Sequence, residues 1–157
     1  MPSAHKKVIV RKLGRDSLNG YVSANFIRDD KLEVLNTSGN VVAVDLDEVK
    51  AVYFVRDFAD TGIPLRKTFA NRPRMEGLWV RLKFKDNDVI EGMMPNDLAQ
   101  ARPEGFLINP PDTRSNVQRL FVPRSALSSL IVLGVIGTAN ARKRGMAADT
   151  RQVQLFE

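Results

Sequence analysis

The sequence predicts an all-β fold, a sandwich or barrel laid out twice along the chain, on three observations. Short segments rich in β-branched and aromatic residues alternate with turn formers at close spacing. Their order recurs with a period of about 72 to 78 residues. A glycine stands at the same point in the second strand of each copy, at Gly20 and Gly92.

In the first copy the strands are Val8-Ile9-Val10 with Leu13, Leu18 with Tyr21-Val22, Leu32-Glu33-Val34-Leu35, Val41-Val42-Ala43-Val44 and Val49 to Val55. Gly14-Arg15-Asp16, Arg28-Asp29-Asp30 and Thr37-Ser38-Gly39-Asn40 separate them, because Gly, Asn and Asp tolerate turn geometry and bond their own backbone. With Gly92 placed under Gly20, Val8 meets Val80, Val10 meets Leu82, Asp16 meets Asp88 and Leu18 meets Ile90. Further on, Leu32 and Val34 meet Phe106 and Ile108, and Val44, Val49 and Val52 meet Val122, Leu127 and Leu130. The glycine has a physical purpose: a strand that bends sharply in a small closed sheet brings another backbone close behind it, where a Cβ would not fit.

The second copy carries a resemblance. Val80-x-Leu82-x-Phe84-x-Asp86, Gly92, Gly105-Phe106-Leu107-Ile108 and the run from Leu120-Phe121-Val122-Pro123-Arg124-Ser125 to Leu130 resemble the Sm-like small-barrel superfamily, which includes the bacterial Hfq-type RNA chaperones. The resemblance covers roughly residues 7–56 and 78–136. It implies two tandem five-stranded bent-sheet barrels, of a kind that usually assembles into rings binding single-stranded RNA. The whole chain also resembles an uncharacterised bacterial family of tandem small barrels, which implies a fold and no activity. The expected division is a first barrel at 1–56, a basic linker at 57–77, a second barrel at 78–137 and a basic tail at 138–157.

Two departures bear on RNA. The polar residue that follows the bent-strand glycine comes five positions later, at Asn25 and Asp97. The basic residue and histidine expected before the fifth strand become Arg124 and Ser125 in the second copy, and Asp47 and Glu48 in the first. An acidic Asp45-Leu46-Asp47-Glu48 turn repels phosphate, so polyanion binding falls to the linker, the second barrel and the tail.

Composition closes other routes. Among 157 residues there are no cysteines and one histidine, His5, so disulfides, thiolate metal sites, a Cys nucleophile and a His-based zinc cluster are excluded. Phosphate-cradling and dinucleotide glycine motifs are absent, and the carboxylate pairs Asp29-Asp30, Asp45 with Asp47, and Asp86 with Asp88 fall in turns. No catalysis, cofactor or metal is expected. Arg11, Arg15 and Ser17-x-x-Gly20 are faintly similar to PilZ barrels, which bind cyclic di-GMP, but the two elements abut here instead of being separated by a strand. The longest apolar stretch, Leu127 to Ile136, is about half of a bilayer span, and the N-terminus has no apolar signal region, so a cytoplasmic protein without a membrane partner is expected.

The 24 basic residues exceed the 18 acidic by six, yet residues 1–56 and 78–137 are each nearly balanced. The excess gathers at Lys6 to Arg15, at Arg66, Lys67, Arg72 and Arg74, and at Arg142-Lys143-Arg144. Together with Arg124, the last two islands form the expected footprint for single-stranded RNA or another polyanion. Phe26, Phe58, Phe69 and Trp79 are the rings best placed for base stacking. The competing expectation is a protein-assembly module, because small barrels leave edge strands that pair with another chain or with self. Val153, Leu155 and Phe156 of the tail are candidates for an added strand.

Overall fold

The computed structural model describes residues 5–14, 16–58, 67–97, 99, 102–112 and 115–137. Its strands are β1 (Lys6–Lys12), β2 (Ser17–Val22), β3 (Ile27–Arg28), β4 (Lys31–Asn36), β5 (Val41–Asp45), β6 (Val49–Val55), β7 (Gly77–Phe84), β8 (Val89–Met94), β9 (Gly105–Ile108), β10 (Val117–Pro123) and β11 (Leu127–Ile136). Every pairing is antiparallel. Among the described residues no helix is long and apolar enough to cross a membrane.

The turns form where their chemistry dictates. Asp29 and Asp30 both adopt positive φ, at 53° and 61°, and close the β3–β4 hairpin with Arg28 opposite Lys31. The Asn36 carboxamide oxygen accepts the N–H groups of Ser38 and Asn40, and Gly39 takes φ 90° to complete the β4–β5 turn. Asn87, at φ 71°, closes β7 onto β8.

Corresponding pairings recur in the two halves. Val8 lies opposite Gly20 and Val80 opposite Gly92; Val10 lies opposite Val52 and Leu82 opposite Leu130. Leu32 pairs with Val44, and Phe106 pairs with Val122. A Cβ on Gly20 would collide with the Val34 side chain and stand 2.6 Å from the Leu35 carbonyl oxygen. A Cβ on Gly92 would collide with the Ile108 side chain, 2.9 Å from the Asn109 oxygen. Each glycine therefore lets its strand cross tightly against the third long strand of its own half.

The strands do not close into the two separate barrels expected from the sequence. They form an eight-stranded sheet ordered β3-β4-β2-β1-β6-β10-β9, with β5 on β4, and a three-stranded sheet ordered β11-β7-β8. A strand has two hydrogen-bonding edges, and both edges of β6 are taken, by β1 and by β10. β5 therefore has nothing in its own half to close upon. In the second half β10 is likewise held by β6 and β9, and among the described residues β11 has β7 alone as its strand neighbour. β8 and β9 touch through one bridge, Met93 with Asn109.

Because β10 pairs with β6, the two cores interlock. Phe121, from the second half, is fully buried among Val8, Val10, Leu32, Val34 and Phe54 of the first. Ala51, with Leu13 and Tyr53 packed nearby, enters the cluster of Val80, Leu82, Phe84, Ile108, Leu120 and Val122. β6 is covered on both faces, which explains its nearly continuous apolar sequence.

An ion network crosses the same junction. Lys50 Nζ, on β6, lies 2.8 Å from Asp86 and 3.0 Å from Asp88 in the β7–β8 turn, and Lys67 Nζ lies 2.7 Å from Asp88. Burial pulls the Lys50 pKa down, but the bonds and charges of the two aspartates outweigh it and hold it above its ordinary value. The hydrogen bond from Lys50 lowers Asp86; burial raises Asp88, and Lys67 and Lys50 together overcome this and lower it. The lysine's contribution is present below its unfolded pKa and fades as pH rises past its folded one. The aspartates' contribution is present above the ordinary carboxylate range and is lost as pH falls below it, through their lowered folded pKa values. Lys50→Met is expected to cost about 1–3 kcal/mol at neutral pH, between the limits for exposed and buried pairs. In urea titrations the gap between wild type and variant narrows as pH drops from about 7 to about 3; a gap independent of pH would remove the ion pairs as its cause.

Candidate functional site

Linker residues from Lys67 onward fold back onto the three-stranded sheet. Glu91, buried on β8, donates its backbone N–H to the Lys67 carbonyl (2.6 Å). Its carboxylate accepts the Phe69 N–H at 3.3 Å and the Trp79 indole N–H at 3.1 Å, with Arg81 3.5 Å away. Phe69 packs edge-on against Trp79, ring centres 6.3 Å apart. The Arg72 guanidinium lies on β11 beside Gly134, and Arg74 is exposed.

Of the expected phosphate contacts, Lys67 is thus engaged with Asp88, and Arg72 borders β11. Arg66, Arg142, Lys143 and Arg144 lie outside the described residues, as do Arg15 of the PilZ-like element and Val153, Leu155 and Phe156 of the tail. Arg11 stands over the Tyr53 ring, 5.5 Å from its centre.

Arg124 occupies a different place. It opens the 3-10 turn Arg124–Ala126, its Nε donates to the Pro103 carbonyl (3.2 Å), and its guanidinium lies 4.9 Å from the centre of the Phe106 ring. Phe106 lines a cleft of about 170 Å³. The cleft opens where β8 leaves β9 beyond the Met93–Asn109 bridge. Leu78, Met94 and Leu107 supply apolar wall, and Arg102 and Arg119, both exposed, supply charge. Arg102 reaches back over the Phe26 ring of the first half at 5.8 Å. Asp97 also lines the cleft, with one carboxylate oxygen accepting the Ala99 N–H at 2.9 Å.

Arg102 and Arg119 are cleft-lining residues that the sequence did not single out. Each is isolated in sequence, and a bulge between Val117 and Arg119 breaks the alternation that would have assigned the β10 side chains to faces. The aromatic expectations need correction. Phe26 is core, packed edge-on between Phe54 and Phe121, so it offers no face to a base. Phe58 packs edge-on on Tyr21, and Trp79 is engaged with Phe69 and Glu91.

The acidic turn of the first half comes up against the basic turn of the second: Ser125 Oγ donates to the Leu46 carbonyl at 3.4 Å, with Asp47 and Glu48 exposed. Any anion at Arg124 therefore has to approach from the Phe106 side. Among the described residues no group of three or more His, Cys, Asp or Glu side chains is placed to hold a metal ion.

Neither the curated proteins nor the solved structures contain a match to the chain. Residues 4–134, most of the chain and all of the architecture described above except the end of β11, match the model of a family described as a family of unknown function, DUF6982, and the chain belongs to that family.

Proposed function

We propose that this is a non-catalytic binding protein whose ligand is single-stranded RNA or a similar polyanion, and that its halves are copies of one bent-sheet unit of the Sm-like kind. The observation that carries the binding reading is the cleft at the β8–β9 opening, lined by Arg102, Arg119 and the half-buried Phe106, with the Arg124 guanidinium over the Phe106 ring. Guanidinium groups attract phosphates and release their counterions, while an aromatic wall takes a base by stacking. Arg66, Lys67, Arg72 and Arg74 of the linker and Arg142-Lys143-Arg144 of the tail add positive charge on either side of the second half in the sequence. The recurrence of the Val8–Gly20 and Val80–Gly92 pairings, with each glycine crowded by the equivalent strand, supports the duplication.

Filter binding of mixed-sequence RNA tests the ligand. Micromolar protein is expected to retain RNA at about 50 mM salt, with affinity falling as salt rises. Replacing Arg102, Arg119 and Arg124 together by Ala should flatten the log–log salt slope by about 2, three single-strand phosphate contacts at about 0.7 each. No retention by the wild type sinks the RNA reading; an unchanged slope in the variant removes the cleft as its place.

A further inference from the structure

Glu91 stands on the wrong side of its strand for a buried charge. Val80 and Leu82 of β7 enter the core, so Trp79 and Arg81 lie on the other face of the three-stranded sheet, and Glu91, opposite Arg81, shares that face. A glutamate there would ordinarily meet water, yet Glu91 is 7% exposed. The segment from Lys67 to Met75 covers it. Half-buried Phe69 leans on Trp79, Pro73 is buried, and Arg72 reaches Gly134 of β11.

The segment takes a place along β8 that the second half leaves open. Met93 and Asn109 exchange backbone bonds of 2.9 and 2.8 Å, but the residues after Asn109 are Pro110 and Pro111, which have no N–H to give a ladder. Two positions back on β8, the Glu91 N–H therefore goes to the Lys67 carbonyl instead. Lys67 to Met75 forms no strand, and acid side chains supply much of its hold. Asp88 takes the Lys67 ammonium at 2.7 Å, and Glu91 takes the Phe69 N–H at 3.3 Å and the Trp79 indole at 3.1 Å. These are the kinds of donor that bind phosphate oxygens. Asp88 also keeps Lys50 at 3.0 Å, so the junction of the halves retains an ion pair when Lys67 departs.

We propose that Lys67 to Met75 is an autoinhibited arm for a polyanion: Asp88 and Glu91 hold it to the sheet in the place of phosphates, and a phosphate chain releases it by taking its cations. This regulation rests on the polyanion reading given above. Docked, the arm has Lys67 neutralised and Phe69 turned to Trp79. Released, it presents Lys67, Phe69, Arg72 and Arg74 within eight residues. A ligand that prefers the released arm shifts the population toward it, and removing either carboxylate shifts it in advance.

Trp79 is the sole tryptophan, so its indole N–H gives one signal to follow. Hydrogen exchange at that group and at the Glu91 amide is compared in the wild-type chain without RNA and with saturating mixed-sequence RNA. Contact with a ligand slows exchange; release of the arm is expected to speed both groups about tenfold. Glu91→Ala is expected to bind RNA about tenfold tighter than Asp30→Asn, which makes the same change of net charge in the exposed β3–β4 turn. Trypsin should cut Glu91→Ala sooner after Lys67 and Arg74, and the gain in affinity should vanish when Arg72 and Arg74 are also replaced by Gln. With RNA bound, exchange that is unchanged or slowed at both groups, or a Glu91→Ala affinity equal to that of Asp30→Asn, overturns the arm and leaves the cleft in place. No retention of RNA by any of these chains overturns both.

Discussion

Phe121→Ala is expected to lower the unfolding free energy by about 3–5 kcal/mol, the range for removing a fully buried ring. It should do so for both halves at once. The side chain is carried by β10 of the second half, yet it is fully buried in the core of the first, edge-on to Phe26 at 5.4 Å. Its loss leaves a cavity bounded by residues of both halves while β10 stays tied to β6 by backbone bonds. Urea unfolding followed by circular dichroism and by Trp79 fluorescence should therefore give one coincident transition at a lower midpoint. Trp79 reports on the second half alone, so an unmoved fluorescence midpoint would show that the halves unfold independently.

Gly92→Ala is the second large effect, with a cost of about 1–3 kcal/mol or more from overpacking. The added methyl would meet the Ile108 side chain and the Asn109 carbonyl oxygen at 2.9 Å, and the carbonyl belongs to the Met93–Asn109 bridge between β8 and the end of β9. A side chain can rotate away, but a bridged carbonyl cannot without opening the sheet. Gly20→Ala should cost a comparable amount, for the Leu35 carbonyl lies 2.6 Å from the added atom. Gly14 supplies the control: nothing stands within 4 Å of its Cβ position. Gly14→Ala should therefore be neutral or stabilise by about 0.4–1 kcal/mol through the unfolded chain. Thermal midpoints of the three variants decide the matter, and equal shifts at Gly14 and Gly92 would refute the close-crossing account.

The strands and the crowded glycines were legible in the sequence because both rest on local chemistry. A strand with alternate valines buries one face, as Val8 and Val10 do, and only a residue without Cβ fits a tight crossing. The paired aspartates at 29 and 30 and the Asn36 to Asn40 turn were readable for the same reason, since their side chains and backbones settle the geometry within a few residues. The site was less legible. Arg124, singled out from its place before the last strand, lies over the Phe106 ring beside the cleft, whereas Arg102 and Arg119 line the cleft because a loop and a bulge bring them there.

Residue type and spacing alone thus specify short strands and their turns, since each depends on steric and hydrogen-bonding rules that act over a few positions. Which edge each strand gives to which neighbour is settled at long range. Val52 and Tyr53 read as ordinary alternating strand residues, and nothing local says that both faces of β6 are covered or that its outer edge goes to β10. Backbone groups pair with any strand in register, so the choice falls to side-chain fit: Phe121 fills one core and Ala51 leaves room in the other. That fit joins two expected barrels into one interlocked body and, among the described residues, leaves β5 and β11 at the ends of their sheets.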